Sequence, residues 1–405
     1  MPSRFKQRVL KKTILFKWLV RMYDAYNLWK FFIKTHNRIN AIPDNVHHFF
    51  VFPFYHTGGA EKVHADIINA NKSSSQVVFF TGNSCNDQHK SDFYNNAVCF
   101  DLFLLFRKES YKKRILRCIV NKINKSGNNI IFSSNSQDFY SQIVPAVYKK
   151  NKCIDLIHAF THENEPGAEK WSIPVAEKLY KRVVICKAVK NMLIEQYKKN
   201  NISESNNSKI EVIYNFVDIA ETADLESRSN LPFTVLFIGR NSPEKRLEEI
   251  IDAAKILTKN SDINFRFIGP GLEVFSGTNS NKKILYKGNL SAHELYTYYR
   301  SSHVIILMSG REGLPVVLQE AMAFGVVPVS TNVGGIPELI ENGKTGFLIE
   351  NKLDSQDRIN KAVEHIQALF QDRNLLTALS KNASRFVRES FSKEEFESGF
   401  RKLLK

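Results

Sequence analysis

Two glutamates stand eight residues apart in REGLPVVLQEAMAFG (Arg311–Gly325). Glu312 precedes and Glu320 follows a run that is otherwise apolar apart from Gln319. Pro315 suits the first position of a helix, where its missing N–H costs nothing, and Gly325 suits the end. The start of that helix would gather free N–H groups and about half a positive charge, which favours an anion. Glu320 would then lie roughly 8 Å further along the axis at 1.5 Å per residue. A ligand with a diol, a diphosphate and a second diol fits this layout, and a nucleotide sugar is such a ligand. Taken alone, the pair fits equally well as one Glu near a helix dipole and another on a solvated face.

A second candidate is FIGRNSPEKRLEEI (Phe237–Ile250), in which Arg240, Lys245 and Arg246 cluster after an apolar run. If Pro243 opens the helix, Lys245 and Arg246 fall in its first turn. There each cation opposes the dipole by about 0.3–1 kcal/mol, and a bound anion would explain them. The alternative is surface charge offset by Glu244, Glu248 and Glu249. In YHTGGAEKVH (Tyr55–His64), Gly58 and Gly59 allow backbone to approach a phosphate closely, although the stretch is neither GxGxxG nor a Walker loop. His158 closes the apolar run IDLIH, with His162 and Glu163 after it. It suits a sugar-hydroxyl or acid/base contact, or a plain loop cap. IGPGLE (Ile268–Glu273) lacks the third glycine of a dinucleotide loop, so NAD is not expected. The chain has no DxD, HExxH, GxSxG or metal-spaced Cys/His cluster. No metal or cofactor is therefore expected, and cationic side chains and helix ends must neutralise any diphosphate.

These loops need elements to hold them. A chain of 405 residues is too long for one core and predicts two domains. The runs HFFVFPF, QVVFF, NIIFSS, IDLIH, RVVIC and IEVIYN read as strands, most of them separated by helical patterns. After the polar stretch ETADLESRSN (Glu221–Asn230), taken as a linker, a second set follows: FTVLFIGR, INFRFIG, KILYKGN, HVIILMS and VVPVST. Alternating strand and helix predicts two doubly wound parallel sheets, with ligands outside the carboxyl ends of the strands. The expected divisions are a leader over 1–45, α/β domains over 46–222 and 231–390, and an amphipathic helix over 391–405.

The net charge is +16, which points to an anionic partner: phosphorylated ligand, membrane or nucleic acid. From Met1 to Arg38 there are ten Lys/Arg against Asp24 alone. Apolar and aromatic residues (Leu10, Ile14, Leu15, Trp18, Leu19, Met22, Tyr26, Trp29, Phe32, Ile33) recur among them at mostly helical spacing. That pattern fits helices lying on an anionic bilayer, or a solvated helix pair packed on the first domain. No apolar run reaches the ~18 residues of a membrane span, and no secretory leader is recognisable. Five scattered cysteines without a CxxC read as free thiols in a reducing compartment.

Together these stretches resemble the retaining glycosyltransferases of family 4, which have the GT-B fold of two Rossmann-like doubly wound domains facing a central cleft. IGRNSPEKR resembles the family's phosphate motif, EGLPVVLQE its E-x7-E motif, and VPVSTNVGGIPELIENGKTGFLI (Val327–Ile349) its C-terminal signature. TGGAE resembles the amino-terminal Gly–Gly loop, and VIYNFVD the strand before the linker. The resemblance runs from about Phe50 to the end and leaves the leader outside. It implies that Arg240 and Lys245 bind the diphosphate, Glu312 contacts the transferred sugar and Glu320 the ribose. The backbone at Gly313, Leu314 and Val316 would line sugar and phosphates, Gly58 and Gly59 would face the diphosphate, and His158 would lie near the sugar. Phe216 and Cys186 depart from the family's usual Gly and Ser.

The reading implied is a metal-independent hexosyltransferase. It would move sugar from a nucleotide diphosphate to a lipid-linked or oligosaccharide acceptor in cell-surface polysaccharide or lipopolysaccharide synthesis. The amino domain would take the acceptor and the carboxyl domain the nucleotide sugar. The final helix would cross back to the amino domain. Location would be cytoplasmic, peripheral on the inner-membrane face of a bacterium, with no nucleic-acid partner. The competing readings are a sugar-nucleotide epimerase, a soluble disaccharide synthase, and a basic nucleic-acid- or membrane-binding protein.

Overall fold

The computed structural model describes residues 4–56, 58–72, 75–161, 167–217, 227–276 and 281–405, with the side chains of 4–20 outside that description. The expectations for His162, Glu163, Glu221–Glu226 and the leader side chains Leu10 to Leu19 therefore lie outside the described residues. The chain forms two compact units. One comprises Met1–Leu156, His162–Arg182 and Leu404; the other comprises Ile157–Thr161, Val183–Leu403 and Lys405.

The first sheet has seven strands: β1 His48–Phe52, β2 Gln76–Phe80, β3 Val98–Asp101, β4 Ile130–Ser134, β5 Lys152–Ile157, β6 Lys181–Val184 and β7 Ile210–Val212. Their spatial order is β3-β2-β1-β4-β5-β6-β7. The second has six: β8 Phe233–Ile238, β9 Ile263–Ile268, β10 Ile284–Lys287, β11 Val304–Leu307, β12 Val327–Thr331 and β13 Phe347–Ile349. Their order is β10-β9-β8-β11-β12-β13, with parallel neighbours throughout. Both are Rossmann-like. Sequences such as QVVFF and VIIL suit this architecture because helices cover both faces and every residue of β2, β8 and β11 is buried.

The leader is one continuous helix, Arg4–Asn40, not a pair. Its carboxyl half packs on the helix Glu109–Ser126, where Phe32 stacks on Tyr111 at 4.7 Å. No described helix is long and apolar enough to cross a membrane. The end of the polar stretch, Ser227–Asn230, is a 3-10 turn whose Arg228 is buried. Its guanidinium donates to the carbonyls of Arg300, Phe324 and Gly325. Helix ends leave such carbonyls unsatisfied, and a cation there also meets the negative end of the dipole.

In the first unit Arg182 and Asp155 are both fully buried, with Nη2 to Oδ2 at 2.6 Å. The Tyr140 hydroxyl donates to Asp155 at 3.0 Å, and Arg182 also donates to the Ser172 hydroxyl at 2.7 Å. Breaking such a pair leaves a lone buried charge. Arg182→Met should therefore cost about 3–5 kcal/mol, measured by urea unfolding.

Candidate active site

In the second sheet the chain starts at β8, winds outward to β10, and then returns to β11 on the other side of β8. The loops after β8 and β11 consequently diverge, and the crevice between them is the binding position of such sheets. The loop after β8 carries Arg240 and Lys245. The loop after β11 carries Glu312. The Gly310 amide donates to the Glu244 carbonyl at 2.8 Å and so ties the two loops together.

The expected helix start at Pro243 is not what forms. Pro243–Lys245 make a 3-10 turn, Arg246 adopts a left-handed conformation (φ 46°, ψ 47°), and the helix runs Leu247–Asn260. The left-handed residue turns the chain before the helix begins, so the first helical turn carries Glu248 and Glu249, which complement the dipole. Lys245 is thereby released from opposing the dipole. Its Nζ lies 2.5 Å from Glu312 Oε1, and both side chains are largely buried. The Ser309 hydroxyl donates to the same oxygen at 2.6 Å. Arg240 is mostly exposed and pairs with Glu244 at 2.9 Å. Burial works against the Glu244 carboxylate, but hydrogen bonds from Ser242 and its own amide, with Arg240, hold it down at about 2. Arg246 donates to Asn351 Oδ1 at 2.7 Å. The three cations thus have three different partners.

Pro315 is the residue before the helix Val316–Ala323, not its first residue: its ψ of 114° is extended. Val316 and Val317 are partly exposed, so the amino end of this helix is open to solvent. Phe324 follows the last helical residue and Gly325 then takes φ 71°, the left-handed conformation that ends helices. Glu320 lies in the second turn and accepts a hydrogen bond from the buried Tyr299 hydroxyl at 2.9 Å.

The backbone around Glu312 is crowded. Gly334 has φ 55°, and a Cβ there would stand 1.9 Å from the Glu312 carbonyl oxygen. A Cβ on Gly313 would stand 2.2 Å from the His158 carbonyl oxygen. Only glycine fits at these two places. The Gly335 amide donates to the Gly313 carbonyl at 2.7 Å, and the Thr331 hydroxyl to the Ser309 carbonyl at 2.6 Å. Arg311 donates to the Phe160 carbonyl. The fold therefore brings Glu312, Gly313, Lys245 and His158 into one neighbourhood of the second unit. Ser309, Thr331, Gly334, Gly335 and Tyr299 brace Glu312, its loop and Glu320, and residue patterns did not single them out. The adjacent glycines in STNVGGIPE were a readable signal for two of them; Tyr299 had none.

Gly58 and Gly59 belong to the first unit, in the loop after β1. Gly59 begins the helix Gly59–Ala70, and Gly58 caps it. The Glu61 carboxylate folds over the Gly58 Cα, at 2.0 Å from the position of a Cβ. Burial raises its pKa.

Two Rossmann-like halves of this kind define the GT-B class. The crystal structure of HepE from Anabaena in complex with UDP has the same fold, with a TM-score of 0.69 at 16% identity over 88% of this chain and 98% of its own. The family described as Glycosyl transferases group 1 matches residues 222–386, the segment holding β8 to β13 and the Glu312 loop. An uncharacterized glycosyltransferase of Methanocaldococcus jannaschii is 27% identical over 78% of this chain and 87% of its own length. The capsular polysaccharide biosynthesis glycosyltransferase CapM of Staphylococcus aureus is 28% identical over 43% of this chain and 47% of its own. Residues 222–386 are thus similar to the glycosyl transferases of group 1, and the fold is that of GT-B.

His158 follows the last residue of β5. Burial pulls its pKa from 6.5 to about 4, so the ring is neutral at neutral pH. It can donate or accept a hydrogen bond there but carries no charge. Because the folded value lies below the unfolded one, its contribution to stability is present above pH 6.5 and is lost as pH falls through about 4. The ring-proton NMR shift of His158 should titrate near 4; a midpoint near 6.5 would contradict the burial argument.

Proposed function

We propose that the chain transfers a sugar from a nucleotide diphosphate to a lipid-borne glycan acceptor, with retention at the anomeric carbon and without a metal ion. The observation that carries this reading is the Lys245–Glu312 contact at 2.5 Å beside the open amino end of the Val316 helix. That place joins a cation and helix amides, which suit a diphosphate, with a carboxylate, which suits sugar hydroxyls. Glu320, oriented by Tyr299, would take the ribose hydroxyls.

In the step proposed, the bond from the anomeric carbon to the leaving phosphate oxygen breaks. A bond to the acceptor oxygen forms on the same face. The acceptor proton passes to the leaving phosphate, and the nucleoside diphosphate departs. Lys245 and Arg240 would stabilise the charge gathering on the phosphates, and stabilisation of developing charge is usually what accelerates such reactions most. Glu312 would position the sugar and reset Lys245 once the product leaves. The neutral His158 would donate to or accept from a sugar hydroxyl.

The reading of a lipid-borne acceptor rests on the leader. Met22, Tyr26, Trp29 and Ile33 are exposed, at 50, 56, 50 and 38%. Their spacing of i, i+4, i+7 and i+11 sets them on one stripe of the helix. Arg21, Lys30 and Lys34 are exposed on the same stretch, with Asp24 the one acid from Met1 to Arg38. Aromatic residues with flanking cations suit the surface of an anionic bilayer. On this reading the enzyme works at the cytosolic face of a bacterial inner membrane, in cell-surface polysaccharide or lipopolysaccharide assembly.

A thermal-shift panel of UDP-, GDP-, ADP- and CMP-sugars should identify one donor that raises the midpoint by mass action. With that donor, Glu312→Ala should abolish transfer, and because it leaves Lys245 without its partner it should also lower the unliganded midpoint of a chain that still folds. Lys245→Ala should lower kcat by about 10²–10³-fold, the usual loss of a charge-stabilising donor. Wild-type transfer by Glu312→Ala would overturn the site.

A further inference from the structure

The second unit holds a cavity at the edge of its sheet opposite the donor crevice. Phe233 opens β8 and His303 immediately precedes β11, so both mark the amino ends of the strands, whereas the crevice lies at the carboxyl ends. The cavity lies between Gly325 and the first turns of the helix Arg373–Ser390. Arg228, His303, Arg373, Thr377 and Ser380 supply its polar lining. Its volume is about 80 Å³. A water needs about 10–15 Å³ of such space, so the cavity has room for one small ion and excludes a nucleotide.

The lining carries two guanidinium groups and, among the described residues, no carboxylate. The nearest acid in sequence, Asp372, is turned to the helix start, where it accepts from the amides of Asn374 and Leu375 at 3.0 and 2.9 Å. Arg373 lies over the rings of Phe233 and Phe370, at 4.8 and 5.3 Å. A ring face attracts a cation without neutralising it. Arg228 is buried and reaches the same cavity from the turn Ser227–Asn230.

His303 reports the sign of the field inside. Its Nδ1 accepts from the Thr234 amide at 3.2 Å, and its Nε2–H donates to the Arg228 carbonyl at 3.2 Å. That pattern is the neutral imidazole. Burial first, and then Arg228 and Arg373, push its pKa down to about 4; a backbone hydrogen bond, not a carboxylate, opposes them. Two cations facing one enclosed space favour an anion there, and an oxyanion would take charge-assisted hydrogen bonds from them.

The Val316 helix spans the two edges of the sheet. Its amino end opens on the crevice, and its carboxyl end runs into Gly325, a wall of the cavity. Arg228 and Ser380 both donate to the Gly325 carbonyl. An ion held by this lining would tie the turn before β8, the end of the Val316 helix and the Arg373 helix to one another.

We propose that this cavity binds one small oxyanion of the phosphate class between Arg228 and Arg373, and that the bound ion braces the carboxyl end of the Val316 helix.

The test uses the full chain and three inorganic probes: phosphate, sulfate and, at equal ionic strength, chloride. At pH 7 phosphate should move the His303 ring-proton NMR signals saturably, and chloride should not. Sulfate keeps its double charge in mild acid, and in it the His303 midpoint should rise above its ligand-free value near 4. Hydrogen exchange at the Phe324 and Gly325 amides, which donate to the Glu320 and Met322 carbonyls, should slow when phosphate binds. Arg373→Gln removes one guanidinium at an exposed position and should weaken phosphate binding about tenfold or more. Thr377→Glu keeps both arginines, sets a carboxylate at the exposed mouth and should abolish the response. Neither residue belongs to the donor crevice, so both variants should keep the thermal shift from the nucleotide sugar. An equal response to chloride, or a phosphate response unchanged in either variant, would overturn the site. A saturable response at His303 with unchanged exchange at Phe324 and Gly325 would overturn the bracing. The proposal stands apart from the transfer reading: a chain that answers phosphate at His303 but no nucleotide sugar would keep this site and lose that reading.

Discussion

The second unit depends on one close contact between charges that water reaches poorly, Lys245 Nζ against Glu312 Oε1. Neither residue would rest comfortably alone at that depth, because each loses hydration that only an opposite charge or hydrogen bonds restore. The surrounding backbone is shaped to keep Glu312 in place. Gly334 passes under its carbonyl, Gly313 lies against the His158 carbonyl, and Ser309 donates to its carboxylate. A ligand with a diphosphate next to sugar hydroxyls can replace both halves of the pair at once. On the proposed reading, that exchange would couple donor binding to the opening of a contact already present.

The far end of the Val316 helix is held as firmly. Arg228 takes the Phe324 and Gly325 carbonyls, Ser380 also donates to Gly325, and Ser384 and Arg388 donate to Ala323. A helix of eight residues has little stability of its own. Pinning its carboxyl end on cations and hydroxyls fixes where its amino end points, and that end is the one that faces the crevice.

The main strands were readable because buried parallel strands are continuous apolar runs. β3 and β13 were missed, being four and three residues long; β3 runs on into the apolar helix Phe103–Phe106, and β13 lies between polar turns. The site residues Arg240, Lys245, Glu312 and Glu320 were visible as charges beside proline-led helix starts. Their local geometry was not. Proline fixes only its own φ and leaves open whether it is the first helical residue or the one before. The left-handed Arg246 leaves no trace in composition, since glycine or asparagine would be the usual flag. The Lys245–Glu312 contact joins residues 67 apart and exists only because β8 and β11 are neighbours. The leader's basic, aromatic character was legible, but its parallel packing on the Glu109 helix was not.

The most direct test of the central claim is a crystal structure of the chain with the nucleotide sugar that stabilises it most. The β-phosphate should lie within hydrogen-bond reach of Lys245 Nζ and of the first amides of the Val316 helix, about 2.7–3.2 Å. Glu312 should be turned to the sugar hydroxyls, with the Lys245–Glu312 contact opened. A nucleotide bound elsewhere, or bound with that contact intact, would contradict the claim.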